Sequence, residues 1–215
     1  MSSDDQHETA SKRVLIACIG NIFLGDDGFG VEVAQHLRRR AYPQGVQVID
    51  FGISGIELAY SLLDPYDELV LVDAVQRGKR PGTIYLIEPD LSALNAQTGG
   101  EARRVGLDTH SMDPLKVLAF AKTLGAQPIH TLLVGCEIVS IGNGEDYEEM
   151  QMGLSEPVQA AIPEAVEVVD RLVRNWFPDY QGTPLRSPER ESGRQSVGDL
   201  DTKTEKQKTE KERMS

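Results

Sequence analysis

Paired carboxylates, Asp26 and Asp27, stand between glycines just after an apolar run in the stretch Arg13 to Gly30, RVLIACIGNIFLGDDGFG. Two further acids, Asp50 and Asp73, each close an apolar run, Val46-Gln47-Val48-Ile49 and Leu69-Val70-Leu71-Val72. Carboxylates gathered without a lysine or arginine among them repel one another, and a bound cation relieves that repulsion. Joined by one imidazole, such acids form an oxygen and nitrogen donor set suited to a borderline divalent ion: nickel, zinc, iron or manganese. Metal-assisted hydrolysis is within the reach of such a set.

The elements that must bring these residues together are legible from periodicity. Val14 to Ile19 predicts a strand, and Val31, Val33, Ala34 and Leu37 recur at helical spacing and end in Arg38-Arg39-Arg40, which suits the negative end of a helix dipole. Gly45 releases a second strand, Val46 to Asp50, and Ser54-Gly55-Ile56-Glu57 matches a capping box for a helix running to about Leu63. Glu68 to Asp73 is the near-continuous apolar pattern of a strand covered on both faces. Strand, helix, strand, helix, strand predicts a parallel sheet. The link from Ala74 to Gly82 is too short for a helical crossover, so Thr83 to Ile87 is expected to run antiparallel at an edge.

Glu88 to Thr109 reads as an irregular segment, after which Ser111 or Asp113 caps a helix with Pro114 in its first turn, ending at Gly125. Ile129 to Ile138 predicts a fifth strand. Gly142 to Met152 reads as an acidic surface loop, and Ser155 as the cap of a last helix with Val158, Ile162, Val166, Val169 and Val173 on one stripe. Pro163 predicts a kink or a short first turn there. The expected fold class is three-layer α/β: a mostly parallel twisted sheet of about five strands with one antiparallel edge strand and helices on both faces. One domain is expected over residues 13–180, between a disordered tail at 1–12 and a disordered, charged tail at 181–215.

Strand ends of a parallel sheet share one rim, so Asp26, Asp27, Asp50 and Asp73 should cluster there. The same geometry sorts the histidines. His7 falls in the first tail, His36 is mid-helix and His130 opens a strand at the opposite rim, which leaves His110, just before the third helix, to join the acids. Which two or three of the four acids complete the set stays open on geometry alone.

Other chemistries fit less well. Strand, glycine loop, helix and an acid ending the second strand is the layout of a dinucleotide site, but the loop reads Gly20-Asn21-Ile22-Phe23-Leu24-Gly25, without G-x-G-x-x-G, and Asp26-Asp27 would face the pyrophosphate. No G-x-S-x-G, Asp-Thr-Gly or Asp-Ser-Gly occurs. The chain carries a formal charge of −12, and Arg13 to Tyr180 holds 24 acidic against 13 basic residues. That balance argues against nucleic acid as a partner. Cys18 and Cys136 lie in apolar runs without zinc-type spacing and read as buried free thiols, and no apolar run is long enough to span a membrane, so a cytoplasmic protein is expected.

Taken together these pieces resemble the hydrogenase maturation endopeptidases, which process the large subunit of nickel-iron hydrogenases. The matching residues are Gly20-Asn21-x-x-x-Gly25-Asp26-Asp27-Gly28-x-Gly30, Asp50-x-Gly52-x-x-Gly55, Asp73-Ala74 with Pro81-Gly82-Thr83, His110, and Gly153-Leu154-Ser155-x-Pro157-Val158. They run in order over about Arg13 to Trp176. The resemblance implies a site of two acids and one histidine that recognises nickel already loaded into the precursor. Carried over by position, these are Asp27, Asp73 and His110, as both metal-binding and catalytic residues, and Asp50 becomes a loop-shaping residue beside them.

The chain departs from the family pattern in four places. Asp27 stands where glutamate is common, Ile53 where a small polar residue is usual, Gly135-Cys136-Glu137-Ile138 lacks a proline often found there, and the loop from Gly144 to Met150 is unusually acidic. The implied function is nickel-dependent removal of the C-terminal extension of a nickel-loaded precursor, with the nickel supplied by the substrate. A non-cleaving checkpoint for the precursor and a small-molecule metallohydrolase are the alternatives.

Overall fold

The computed structural model describes residues 12–91, 113–139 and 152–182. Five strands form one sheet in the order β2-β1-β3-β5-β4: β1 Val14–Ile19, β2 Val46–Gly52, β3 Glu68–Val75, β4 Ile84–Ile87 and β5 His130–Glu137. The pairs β1/β2, β1/β3 and β3/β5 are parallel, and β4 runs antiparallel to β5 at the edge. The short Ala74 to Gly82 link thus does what its length requires. β2 and β3 extend two residues past the expected ends at Asp50 and Asp73, to Gly52 and Val75.

Alternation along the strands sorts the core into two layers. Val14, Ile16 and Cys18 of β1, with Val70, Val72, Val134 and Cys136, face helices α1, Phe29–Leu37, and α4, Glu156–Trp176. Leu15, Ala17, Ile19, Leu69 and Leu71 face the other way, onto α2, Gly55–Ser61, and α3, Pro114–Thr123. Helices therefore cover both faces of the sheet. The whole of β1 is buried, as its continuous apolar pattern demands, and both cysteines are buried and free.

Local signals fared unevenly. Asp113 caps α3, its Oδ1 accepting from Leu115 N at 3.0 Å. Ser54 and Ser155 occupy the N-cap positions of α2 and α4 but neither side chain bonds the first turn. At Ser155 the hydroxyl is drawn to Asp26 instead, at 2.9 Å. Helix α4 runs unbroken through Pro163, because Pro163 and Gln159 both lie on the exposed face, where the carbonyl freed by the missing N–H can meet water. Among the described residues no helix is long and apolar enough to cross a membrane. The expected tails at 1–11 and 183–215, the segment 92–112 with His110, and the acidic loop at 144–150 lie outside the described residues.

Candidate active site

The loop from β1 to α1 is folded back on itself by a few backbone bonds. Asn21 N donates to Asp27 O at 3.2 Å and to Asp27 Oδ2 at 3.2 Å, while Asn21 Oδ1 accepts from Phe23 N. This return is possible because residue 20 is glycine: φ is 153°, and a Cβ there would meet Asp27 O at 2.2 Å. Gly30 lets the first turn of α1 lie directly on the sheet, since a Cβ would meet Ile19 O at 2.0 Å and Val72 O at 2.5 Å. The two acids thus enter on a 3₁₀ turn, Gly25–Gly28, seated over the ends of β1 and β3.

The four acids at this rim have different employment. Asp26 is only 5% exposed and its carboxylate is fully engaged: Oδ1 accepts from Ser155 N at 2.6 Å, and Oδ2 from Val139 N at 3.1 Å and from the Ser155 hydroxyl. It ties the β1 loop to the end of β5 and the start of α4. Asp50 Oδ1 accepts from Gly52 N at 2.9 Å, a local turn that shapes the end of β2. Both are structural.

Asp27 and Asp73 are different. Each is half-buried and spends one oxygen on a backbone N–H, Asp27 Oδ2 on Asn21 and Asp73 Oδ1 on Ala74 at 2.8 Å. Among the described residues Asp27 Oδ1 and Asp73 Oδ2 accept no hydrogen bond, and neither carboxylate forms an ion pair. Burial pushes the Asp27 carboxyl up, opposed by the Asn21 bond. Burial pushes Asp73 well above the ordinary carboxylate range, the Ala74 bond opposes it, and the negative charges of Asp27 and Asp113 add to the rise. Each carboxyl thus presents to an incoming cation one oxygen that accepts no hydrogen bond among the described residues.

They do not make a complete metal site by themselves. Among the described residues no group of three His, Cys, Asp or Glu side chains is arranged to hold a metal ion. His130, set aside by strand geometry, is indeed at the opposite rim, where its Nδ1 is bonded to Glu68 at the start of β3. No activated thiol is present at the described rim: burial pushes Cys18 far above its usual range and Cys136 up to about 12. Two functions escaped the sequence pattern. The three-way engagement of Asp26 is fixed by Val139 and Ser155, more than a hundred positions away, and Glu137 at the end of β5 organises the loop after β3 through Arg77 N and Gly78 N.

Comparison with known proteins shows the family to which the fold belongs. The family described as HycI, hydrogenase maturation protease, matches residues 31–171. The hydrogenase expression/formation protein HupD of Bradyrhizobium diazoefficiens is 30% identical over 181 residues, 83% of this chain and 88% of its own length. HoxM of Azotobacter vinelandii, also named a hydrogenase expression/formation protein, is 34% identical over 157 residues, covering 73% and 70%. Among solved structures, the hydrogenase maturating endopeptidase HybD from E. coli superposes with a TM-score of 0.57 at 27% identity, over 76% of this chain and 93% of that one.

Proposed function

The chain belongs to the hydrogenase maturation protease family and is an endopeptidase of that fold, and we propose that it removes the C-terminal extension of a nickel-loaded hydrogenase large-subunit precursor, using Asp27, Asp73 and His110. The observation that carries this reading is the Asp27 and Asp73 pair at one rim, each with an oxygen that accepts no hydrogen bond among the described residues. Nickel belongs to the substrate in this account. Two carboxylates and one imidazole make an open set, which leaves coordination positions for the precursor's own ligands to the metal.

The third member, His110, rests on sequence. Its support is that Asp113, three residues later, caps α3 within electrostatic reach of Asp73, so the chain re-enters the described structure at this rim. What the residues of this chain do in the reaction is bind and orient: they gather around the precursor's metal and hold the extension beside it. A metal ion polarises a scissile carbonyl or a water, which is the chemistry peptide hydrolysis needs. No serine elbow or activated cysteine competes for the role of nucleophile.

The test is processing of the precursor followed by mass. Asp27→Ala, Asp73→Ala and His110→Ala are each expected to abolish loss of the C-terminal peptide while leaving the circular dichroism of the folded protein intact. Normal processing by all three variants would show that the site lies elsewhere.

A further inference from the structure

The loop between β3 and β4 carries a cationic cluster at the rim of the site. Residues 76–81 are exposed throughout, and within them Arg77, Lys79 and Arg80 place three cations in four positions, on a chain with a formal charge of −12. Among the described residues no ion pair uses Arg77, Lys79 or Arg80.

Nor is the loop a loose tether. Glu137, 3% exposed at the end of β5, accepts from Arg77 N at 2.9 Å, from Gly78 N at 2.8 Å and from the Tyr85 hydroxyl, and these bonds hold its carboxyl below the usual range. Gly82 N donates to Glu137 O at 2.8 Å, and the Thr83 hydroxyl to Arg80 O at 2.7 Å. The Arg77 guanidinium lies 5.6 Å from the centre of the Tyr85 ring. A buried carboxylate therefore fixes the backbone while the three cationic side chains stay exposed and form no ion pair among the described residues. The loop leaves β3 just after Asp73, Ala74 and Val75, so it stands at the same rim as the open carboxylates.

We propose that this loop is a docking contact for an acidic segment of the precursor, an inference that rests on the processing function above. An acidic partner approaching this strongly acidic protein meets attraction at this preorganised loop, beside the two carboxylates. Such an arrangement sets orientation and association rate more than affinity. Three cations with no basic stripe around them, on a strongly acidic protein, do not suit a nucleic-acid backbone. The loop orients the precursor so that its metal arrives over Asp27 and Asp73.

The experiment is association kinetics of the nickel-loaded large-subunit precursor with the full chain, at about 0.05 M and about 0.5 M salt, on either side of the range where surface charges are strongly screened. The loop variant Arg77→Glu/Lys79→Glu/Arg80→Glu is compared with Arg38→Glu/Arg39→Glu/Arg171→Glu, which changes the net charge equally at exposed positions outside this loop. The Glu137 bonds are to backbone N–H groups, so the loop variant keeps them. Association of the loop variant is expected to slow by roughly tenfold at low salt, with little change in the control and little difference at high salt. Equal behaviour of the two variants, alongside normal processing by the unaltered chain, overturns the docking role and leaves the function standing. An unaltered chain that neither binds nor cuts the precursor overturns both.

Discussion

Asp26→Ala separates the two neighbouring acids most cleanly, because the structure gives them opposite duties. The substitution deletes the acceptor for Val139 N, Ser155 N and the Ser155 hydroxyl. The hydroxyl can turn to another partner, but the two backbone donors are fixed where they stand. Leaving each without an acceptor, and losing bonds to a charged group, costs about 1.5–3 kcal/mol apiece, so the expected loss is roughly 3–6 kcal/mol. For a domain of this size each kcal/mol moves Tm by about 2–4 °C, which predicts a fall of roughly 10 °C. Thermal unfolding followed by circular dichroism at neutral pH reads this directly. The same protein, assayed well below its lowered Tm, should still process the precursor, since Asp27 and Asp73 are untouched. A Tm within about 2 °C of the unaltered chain would refute the reasoning that Asp26 is the tie between β1, β5 and α4.

Asp27→Asn and Asp73→Asn should do the reverse, raising Tm at neutral pH while ending processing. A carboxyl whose pKa is raised by folding holds its proton more tightly in the native state, so its contribution to stability is full in acid and is lost as pH climbs from the ordinary carboxylate range through the folded pKa. The Tm advantage of the asparagine variants should therefore grow with pH and close below the ordinary range, and an advantage that grew toward acid would contradict the assigned shifts. The same protonation competes with metal capture, so processing should decline as pH falls through the raised pKa of Asp73, measured as initial rate against pH at fixed precursor. Gly20→Ala should be both destabilised and inactive, because its Cβ would meet Asp27 O at 2.2 Å and must push the acid aside; normal processing by the variant would show that this close approach is unimportant.

How much of this was legible beforehand depends on the range of each interaction. The strands, their parallel order and the antiparallel edge follow from apolar runs and link lengths, which are local, and they appear as read. Asp27 and Asp73 at one rim follow from the same topology. The duties of Asp26 and Glu137 do not, since their partners, Ser155 and Arg77, are brought to them only by tertiary packing. Ser155 shows the same limit from the other side. Its sequence context reads as a helix cap, but a buried carboxylate outcompetes the first turn of α4 for its hydroxyl. Ranking Asp27 over Asp26 likewise needed the hydrogen bonds, or the family pattern, because two adjacent aspartates look alike to periodicity.

The central claim is that the carboxylates answer to a metal carried by the substrate. Purified chain incubated with nickel-loaded and with nickel-free large-subunit precursor, and followed by intact mass, tests it most directly. The account predicts that a C-terminal peptide is lost from the loaded precursor alone. Equal cleavage of both forms, or cleavage of neither, would contradict it.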